Sequence, residues 1–283
     1  MTIVAAVSVP QRGIALDVRA VKIVIQRDLI RTVQDRTRFV AALVQPLLFL
    51  FVLGAGLSSL TQGSTGALDL QQFMFPGILA TSTLFTAVFS AMSIVWDREF
   101  GFLREMLVAP VRRSSIIVGK ALAGATVATV QGTLVLVLAP VVDVPLNATL
   151  ALTLLGEVFL LSFTMTAFAL AIVARITQVQ TVMGLMQVLI LPLSFLSGAL
   201  YPLSNLPGWL SVVTRLNPLT YAVHPVRAAV FEHLSMSPEV RQRLNPPITW
   251  GGWIVPTSVQ LLLVAGIGAA LLAVAVVQFQ KVE

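Results

Sequence analysis

Several long apolar runs divide this sequence, and they restrict its fold more than any other feature does. A helix needs ~20 apolar residues to cross the ~30 Å hydrocarbon core of a bilayer. Hydrophobic residues make up 57% of the 283-residue chain, and charged residues make up only 11%. Because a soluble core does not require so many runs of this length, we expect an all-α membrane protein that crosses the bilayer several times.

Six of these runs are predicted to span the membrane. Pro46 and Pro192 fall inside runs, where neighbouring helices can satisfy the freed backbone groups, so each predicts a kink rather than a helix end. The predicted spans are Phe39–Leu57, Met74–Trp96, Ile116–Ala139, Ala148–Ala174, Val179–Leu200 and Ile254–Phe279. They make residues 39–279 one transmembrane domain, preceded by residues 1–38 and followed by a tail of residues 280–283.

The basic residues predict the orientation. If the N-terminus is inside, fourteen of the eighteen Lys and Arg residues fall in inner segments: seven in residues 1–38, five in residues 97–120, Arg175 and Lys281. The outer loops around Asp69 and Asp143 have no basic residue. Since basic residues stay on the cytoplasmic side, both termini are expected in the cytoplasm. The preference for Arg over Lys, with abundant Ala, Val and Leu, is typical of a GC-rich bacterium and favours a bacterial inner membrane.

The N-terminal region predicts an amphipathic helix over Arg12–Arg38. It has no unbroken hydrophobic core of the kind a signal peptide needs, so we expect it to remain on the mature protein. Its apolar residues recur at helical spacing: Ile14, Val18, Val21, Ile25, Leu29 and Val33. Such a helix lies along the inner membrane face, with its cations near anionic headgroups, or packs on a soluble partner.

The outer segment of residues 201–253 is rich in proline. Its first part, Leu203–Arg227, is half apolar, which favours short re-entrant helices over a solvated loop. Its second part, Ala228–Pro247, is polar enough to stand in water.

A dense mixed-charge segment, residues 97–113, separates the second and third spans. Asp97–Met106 has the composition of a helix, and Pro110 separates that stretch from the next span. A short helix at the membrane face can receive a push from a partner in the water, whereas the alternative is an ordinary charged loop.

Three sequence motifs carry a family resemblance. They are REFGFLREMLVAPVRR at residues 98–113 with Gly119-Lys120 after it, YPLSNLPGWL at residues 201–210, and LNPLTYAVHPVR at residues 216–227. In this order and topology, the chain resembles the permease subunit of type 2 ABC exporters, and is similar to bacterial drug and antibiotic exporter permeases of the daunorubicin-resistance kind. The resemblance covers nearly the whole chain.

The resemblance implies a cytoplasmic coupling helix, a permease dimer and separate ATPase subunits. Two ATPase subunits would bind ATP and Mg, and this chain would bind no cofactor itself. The implied coupling residues are Arg98, Glu99, Phe100, Phe102, Leu103, Arg104, Glu105 and Met106. The charged ones would meet a groove on the ATPase, and the apolar ones would dock onto the ATPase or the bilayer face. The second permease is another copy or a homologue, and membrane lipid is the remaining partner.

The resemblance also suggests a substrate pathway through the first, second and fifth spans. Its candidate residues are Phe49, Phe51, Phe85, Phe89, Met92, Met183, Met186 and Phe195. For any one of them, contact with lipid or ordinary helix packing is the alternative. The scarcity of charge in the spans favours an amphipathic or apolar cargo such as a drug, an antibiotic or a lipid, and a polysaccharide or glycolipid is the alternative substrate.

Glu157 stands out as an acid deep within a predicted span, where a charge is costly. It lies at a depth similar to that of Gln131 on the neighbouring span, counting ~1.5 Å per residue. A structural hydrogen bond between the two, a contact with substrate and proton coupling are the three alternatives.

Other functional classes fit the sequence less well. An ATPase site is not expected, because Ser114 and Ala121 replace the Gly and the Ser or Thr of a P-loop. An intramembrane enzyme would need a nucleophile with a base or paired acids in its spans, and a channel would need polar rings. His224 and His233 have no ligands at metal-site spacing, and the basic excess is explained by topology rather than by nucleic acid.

Overall fold

The computed structural model describes residues 13–54, 56, 70–108, 111–204 and 207–282, except for the side chains of Arg36, Arg38, Phe39, Leu53, Arg104 and Val282. The end of the first predicted span at Leu57, the loop around Asp69 and Pro110 therefore lie outside the described residues.

Helices dominate these residues. They are α1 (Ile14–Gln34), α2 (Arg36–Leu48, extended by a π-helical turn at Phe49–Leu53), α3 (Leu70–Ala91), α4 (Ser93–Glu99), α5 (Phe102–Val108), α6 (Arg113–Leu136), α7 (Ala148–Val173), α8 (Val179–Phe195), α9 (Gly208–Leu216), α10 (Pro218–Glu232), α11 (Pro238–Leu244) and α12 (Thr257–Val282). A 3₁₀ turn at Ala139–Val142 precedes α7, and a short antiparallel hairpin pairs Thr249–Trp250 with Trp253–Ile254.

Four of these helices are long and apolar enough to cross a membrane: Leu70–Glu99, Arg113–Leu136, Ala148–Val173 and Thr257–Lys281. They correspond to the second, third, fourth and sixth predicted spans. The first and fifth correspond to shorter apolar helices, Val40–Val52 and Val179–Phe195. The described residues are therefore mainly helical and contain four candidate spans, and six crossings of the membrane stay a proposal.

The predicted helix boundaries need correction at the inner end of the second span. Its helical stretch continues past Trp96 to Glu99, so Asp97, Arg98 and Glu99 are helical residues and not loop residues. Asp97–Met106 is not one helix, because the chain turns at Phe100 and Gly101 before α5 begins. Gly101 adopts a φ of +82°, a conformation that other residues rarely adopt.

Small residues allow α7 to pack closely against its neighbours at the centre of the bundle. A Cβ on Gly124 of α6 would lie 2.6 Å from Thr166, and one on Gly268 of α12 would lie 2.6 Å from Thr164. The Thr164 hydroxyl donates a hydrogen bond of 3.0 Å to the Val264 carbonyl of α12. Close backbone approach and such interhelical hydrogen bonds are how membrane helices associate.

The outer motif at Asn217 joins the short helices to α8. The Leu193 carbonyl lies in the last turn of α8, and Asn217 Nδ2 donates to it at 2.8 Å. Asn217 Oδ1 also accepts from the Leu219 backbone N–H at 3.0 Å, which caps α10. Arg227 is 2% exposed and donates to the Gly198 and Ala199 carbonyls. The expected short helices are therefore present, and the sequence motif serves to hold them together.

Candidate coupling site

A buried group of charges lies where α1, α4 and α6 meet, and we call it the charge cluster: Arg27, Asp28, Asp97 and Lys120. Lys120 has a fully buried side chain, and its Nζ lies 2.6 Å from Asp97 Oδ2 and 2.9 Å from Asp28 Oδ2. The ammonium also donates to Ser93 Oγ at 3.1 Å. A buried cation is costly unless it is paired and hydrogen-bonded, and here all three partners are oxygens.

Arg27 completes the charge cluster from the solvent side. Its Nη2 donates to Asp97 Oδ2, and it also contacts Asp28 Oδ1 at 3.3 Å. Burial by itself would lower the pKa of Arg27, but the carboxylates of Asp97 and Asp28 outweigh burial, so the pKa is raised. The cluster thus contains two cations and two anions in mutual contact, and its formal charges cancel.

Local sequence explains how α1 reaches Lys120. A Cβ on Gly119 would lie 3.0 Å from Val24 Cβ, so the absence of a side chain lets α1 approach α6 closely. Near the start of α6, Asp17 of α1 accepts from the Arg112 backbone N–H at 3.1 Å and from the Ser115 hydroxyl at 3.0 Å. α1 is consequently bonded to α6 at two places, through a face that carries acids.

The face of α1 that packs on the protein differs from the predicted apolar stripe. Val24 and Asp28 are buried, whereas Ile14, Val18 and Val33 of the stripe are more than half exposed. The helix also ends at Gln34, and α2 begins at Arg36, before the predicted start of the first span. The other three stripe residues, Val21, Ile25 and Leu29, are partly buried, and the acidic face beside the stripe binds α6.

The short helix α5 presents two different sides. Leu103 is 2% exposed and packs into the core, and Met106 Sδ accepts from Arg27 Nη1 at 3.7 Å. Phe100 and Phe102 are 68% and 52% exposed, and Glu105 is also exposed. The side chain of Arg104 lies outside the described residues. Leu103 and Met106 therefore anchor α5 to this chain, and the two phenylalanines face outward.

Arg98 and Glu99 have partners within this chain. Arg98 donates to the carbonyls of Ile176 at 2.7 Å and Ala174 at 2.9 Å, which belong to the connection after α7. Glu99 Oε2 accepts from the Val179 backbone N–H at 2.8 Å, at the start of α8. These bonds place a cation at a helix C-terminus and an anion at a helix N-terminus, as the helix dipole favours. Their predicted contact with an ATPase stays a prediction.

A cavity of about 440 Å³ lies beside the charge cluster, between α1, α2, α3, α6 and α8. Four of the eight predicted pathway residues line it: Phe85, Phe89, Met92 and Met183. The other four do not line it. Met186 is fully buried, Phe51 and Phe195 are exposed at 39% and 52%, and Phe49 is partly buried. The predicted pathway residues that meet at the cavity thus come from the second and fifth predicted spans, and the first span contributes other residues, Ala41, Ala42, Gln45 and Pro46.

Of the three alternatives for Glu157, the hydrogen bond to Gln131 is not formed. Gln131 Nε2 donates instead to the Ala42 carbonyl at 2.9 Å. The reason lies in α2, because Pro46 has no N–H to bond the carbonyl four residues earlier. Glu157 is 7% exposed, and its Oε2 has no hydrogen-bond partner among the described residues.

Sequence reasoning missed the charge cluster itself. It counted Lys120 with the charges of the inner face, although the predicted third span, Ile116–Ala139, contains it, and it considered only Glu157 as an ionisable residue deep in a span; Lys120 lies two turns inside α6. A signal was present, since a lysine inside an apolar run needs an acid at the same membrane face. Asp28 and Asp97 were the acids available there, but 92 residues separate Asp28 from Lys120.

Comparison with known proteins places this geometry in a family context. A family model described as ABC-2 type transporter matches residues 19–231. "Putative transport permease ycf38" from Cyanophora paradoxa is 30% identical over 208 residues, covering 72% of each chain. "Nodulation protein J" from Rhizobium leguminosarum bv. trifolii is 29% identical over 196 residues, 68% of this chain and 73% of the relative. "Probable multidrug ABC transporter permease YbhR" from Escherichia coli strain K12 is 32% identical over 157 residues, 54% of this chain and 42% of the relative.

Proposed function

Since the chain belongs to the ABC-2 type transporter family, we propose that it is the permease of an ATP-driven exporter that moves an amphipathic or apolar substrate out of the cytoplasm or the inner leaflet. The family forms the membrane subunit of ABC transporters and works with ABC ATPase subunits. In our proposal, two ATPase subunits drive a dimer of permeases between inward-facing and outward-facing states, and this chain has no ATPase site of its own.

The charge cluster is the observation that carries the coupling role. It bonds α1 to α4 and α6, and Arg27 extends it to Met106 on α5. A displacement of α5 would therefore move α1 and the two flanking helices together. The exposed Phe100 and Phe102 provide an apolar surface for the ATPase to press on.

The cavity supports a drug-sized substrate. Ligand cavities of roughly 300–1,000 Å³ hold such molecules, and this one has aromatic and methionine walls. One relative bears the name of a multidrug permease, which agrees with this substrate class.

The proposal includes a topology in the bacterial inner membrane with both termini in the cytoplasm. The distribution of basic residues supports it, since the segments flanking α5 carry many and the outer loops few. A reporter active only in the cytoplasm, fused after Glu283, should be active. A silent reporter would overturn this orientation.

Reconstitution tests the function itself. The chain should co-purify with an ABC ATPase subunit. In proteoliposomes, drugs should stimulate ATP hydrolysis by the complex, and the complex should transport them across the membrane. A complex whose ATPase cannot hydrolyse ATP provides the control. Failure to co-purify with any ATPase would contradict the proposal, and stimulation by glycans or glycolipids alone would replace the proposed substrate by the alternative one.

A further inference from the structure

Two threonine hydroxyls that line the cavity can accept a further hydrogen bond but have no proton left to donate. Thr86 on α3 and Thr32 on α1 both line the cavity. The Thr86 hydroxyl donates to the Ser82 carbonyl at 3.2 Å, and the Thr32 hydroxyl donates to the Asp28 carbonyl at 2.8 Å. Each hydroxyl proton is thus already donated within its own helix, so toward another partner the oxygen can only accept a hydrogen bond.

Ser82 follows the same pattern one turn before Thr86. Its hydroxyl donates to the Leu79 carbonyl at 3.0 Å, and Ser82 also lines the cavity. Residues four apart lie on the same face of a helix, so Ser82 and Thr86 form a short row of oxygens on α3.

Gln131 adds an acceptor whose orientation is fixed. Its Nε2 must face the Ala42 carbonyl, because Oε1 in that position would oppose two acceptors. Oε1 has no hydrogen-bond partner among the described residues, although Gln131 is 2% exposed and lines the cavity. A buried acceptor without a partner is costly, and a ligand that brings a donor would remove that cost.

Another part of the wall is aromatic and sulfur-containing, and the charged residues Asp28, Arg31 and Asp35 also line the cavity. Phe85, Phe89, Met92 and Met183 line it, and Trp96 does so beneath the Arg31 guanidinium, which lies 5.0 Å from its ring centroid. Flat ring systems pack well against such walls, and methionine adapts to different ring shapes.

We propose that this cavity binds flat aromatic amphiphiles through their N–H or O–H donors, which the oxygens of Thr86, Ser82 and Gln131 accept. The proposal rests on the exporter function and adds a rule of substrate selection to it. Between two molecules with the same ring system, the cavity selects the one with free donors and disfavours the one in which they are alkylated.

Two fluorescent dyes test this rule directly. Rhodamine 123 and tetramethylrhodamine methyl ester share a cationic ring system and a methyl ester, but only rhodamine 123 has N–H donors. Their affinities for the nucleotide-free permease–ATPase complex in lipid nanodiscs can be measured by fluorescence anisotropy. One buried hydrogen bond to a charged group predicts that rhodamine 123 binds about tenfold more tightly.

Variants assign the preference to the cavity. Thr86→Val keeps the shape of the side chain and removes the oxygen, so the dye preference should fall severalfold, and Thr86→Ser should retain it. Thr133→Val is the matched control, since Thr133 is also partly exposed and donates to a carbonyl one turn earlier at 2.8 Å, but does not line the cavity.

A substitution of Gln131 would also remove its hydrogen bond to the Ala42 carbonyl, so it is best tested in a variant that does not depend on that bond. Pro46→Ala restores a backbone N–H for the Ala42 carbonyl, so Gln131→Met within Pro46→Ala removes the amide without leaving that carbonyl unpaired. The preference of the double variant should be lower than that of Pro46→Ala alone. Gln260→Met provides a control, because Gln260 also donates to a backbone carbonyl, at 2.8 Å, and does not line the cavity.

The outcomes separate this proposal from the exporter function. Equal affinity for the two dyes, binding of neither, or a preference unchanged by Thr86→Val would overturn the selection rule. Because the binding assay needs no ATP hydrolysis, those results would leave ATP-driven export by the same complex standing. Loss of co-purification or of drug-stimulated ATPase activity would instead count against the exporter function.

Discussion

Lys120 Nζ lies 2.6 Å from Asp97 Oδ2, and this buried ion pair joins the third predicted span to the end of the second. The two residues flank the segment that contains α5. Since Asp28 of α1 contacts the same ammonium at 2.9 Å, one cation holds together α1 and the two helices beside α5.

Removing this cation should destabilise the protein. Lys120→Met leaves Asp28 and Asp97 close together with only Arg27 to neutralise both, and breaking a buried pair costs about 3–5 kcal/mol. We expect a lower midpoint of thermal unfolding in nanodiscs, together with ATP hydrolysis that substrate no longer stimulates. Lys22→Met, at an exposed position of α1, should change neither. If Lys120→Met unfolds at the same temperature as the wild type, the charge cluster does not stabilise the contacts between these helices.

Glu99 offers a test of two roles for one carboxylate. If its main role is to accept from the Val179 N–H, Glu99→Gln should preserve coupling, because the amide oxygen can accept the same bond. Glu99→Ala should lose about 1 kcal/mol of stability, as expected for a missing helix cap, and should weaken coupling. Drug-stimulated ATPase activity of the reconstituted complex measures the difference. Uncoupling by Glu99→Gln as strong as that by Glu99→Ala would favour a charge contact with the ATPase.

Gly77 should not tolerate a side chain. A Cβ at this position would lie 1.7 Å from the Ala199 carbonyl oxygen, so Gly77→Ala would force α3 away from the connection after α8. Overpacking of this kind costs about 1–3 kcal/mol or more, and we expect poor expression or a lower unfolding midpoint. Gly184→Ala is the control, since nothing lies within 4 Å of its added Cβ. Equal stability of the two variants would contradict the close approach of these segments.

Glu157 should be dispensable for folding. Its Oε2 has no hydrogen-bond partner among the described residues, and the expected bond to Gln131 is absent, so Glu157→Leu should unfold at the same temperature as the wild type or higher. Transport by Glu157→Leu then tests the two remaining roles, a contact with substrate and proton coupling. Normal stability with lost transport would indicate a contact with substrate or a proton-coupled step, and a sharp loss of stability would restore a structural role.

The sequence predicted the helices better than their contacts. The apolar runs indicated the second, third, fourth and sixth spans, because hydrophobicity over ~20 residues is a local property. The single-helix prediction for Asp97–Met106 was wrong, because helix-forming composition does not reveal a turn that depends on the backbone conformation of Gly101. The alternative that paired Gln131 with Glu157 is not the one observed, because similar depth does not fix which faces of two helices meet.

The sequence by itself determined that the chain is a helical membrane protein with a charged element between two spans, and its motifs indicated the transporter family. Only the tertiary structure decided which charges meet and where the cavity lies. The apolar runs can be recognised from the sequence because each one favours the bilayer independently of the rest of the chain. Asp28, Asp97 and Lys120 act through contacts of a few ångströms between distant parts of the chain, and those contacts exist only after Gly119 has let α1 approach α6.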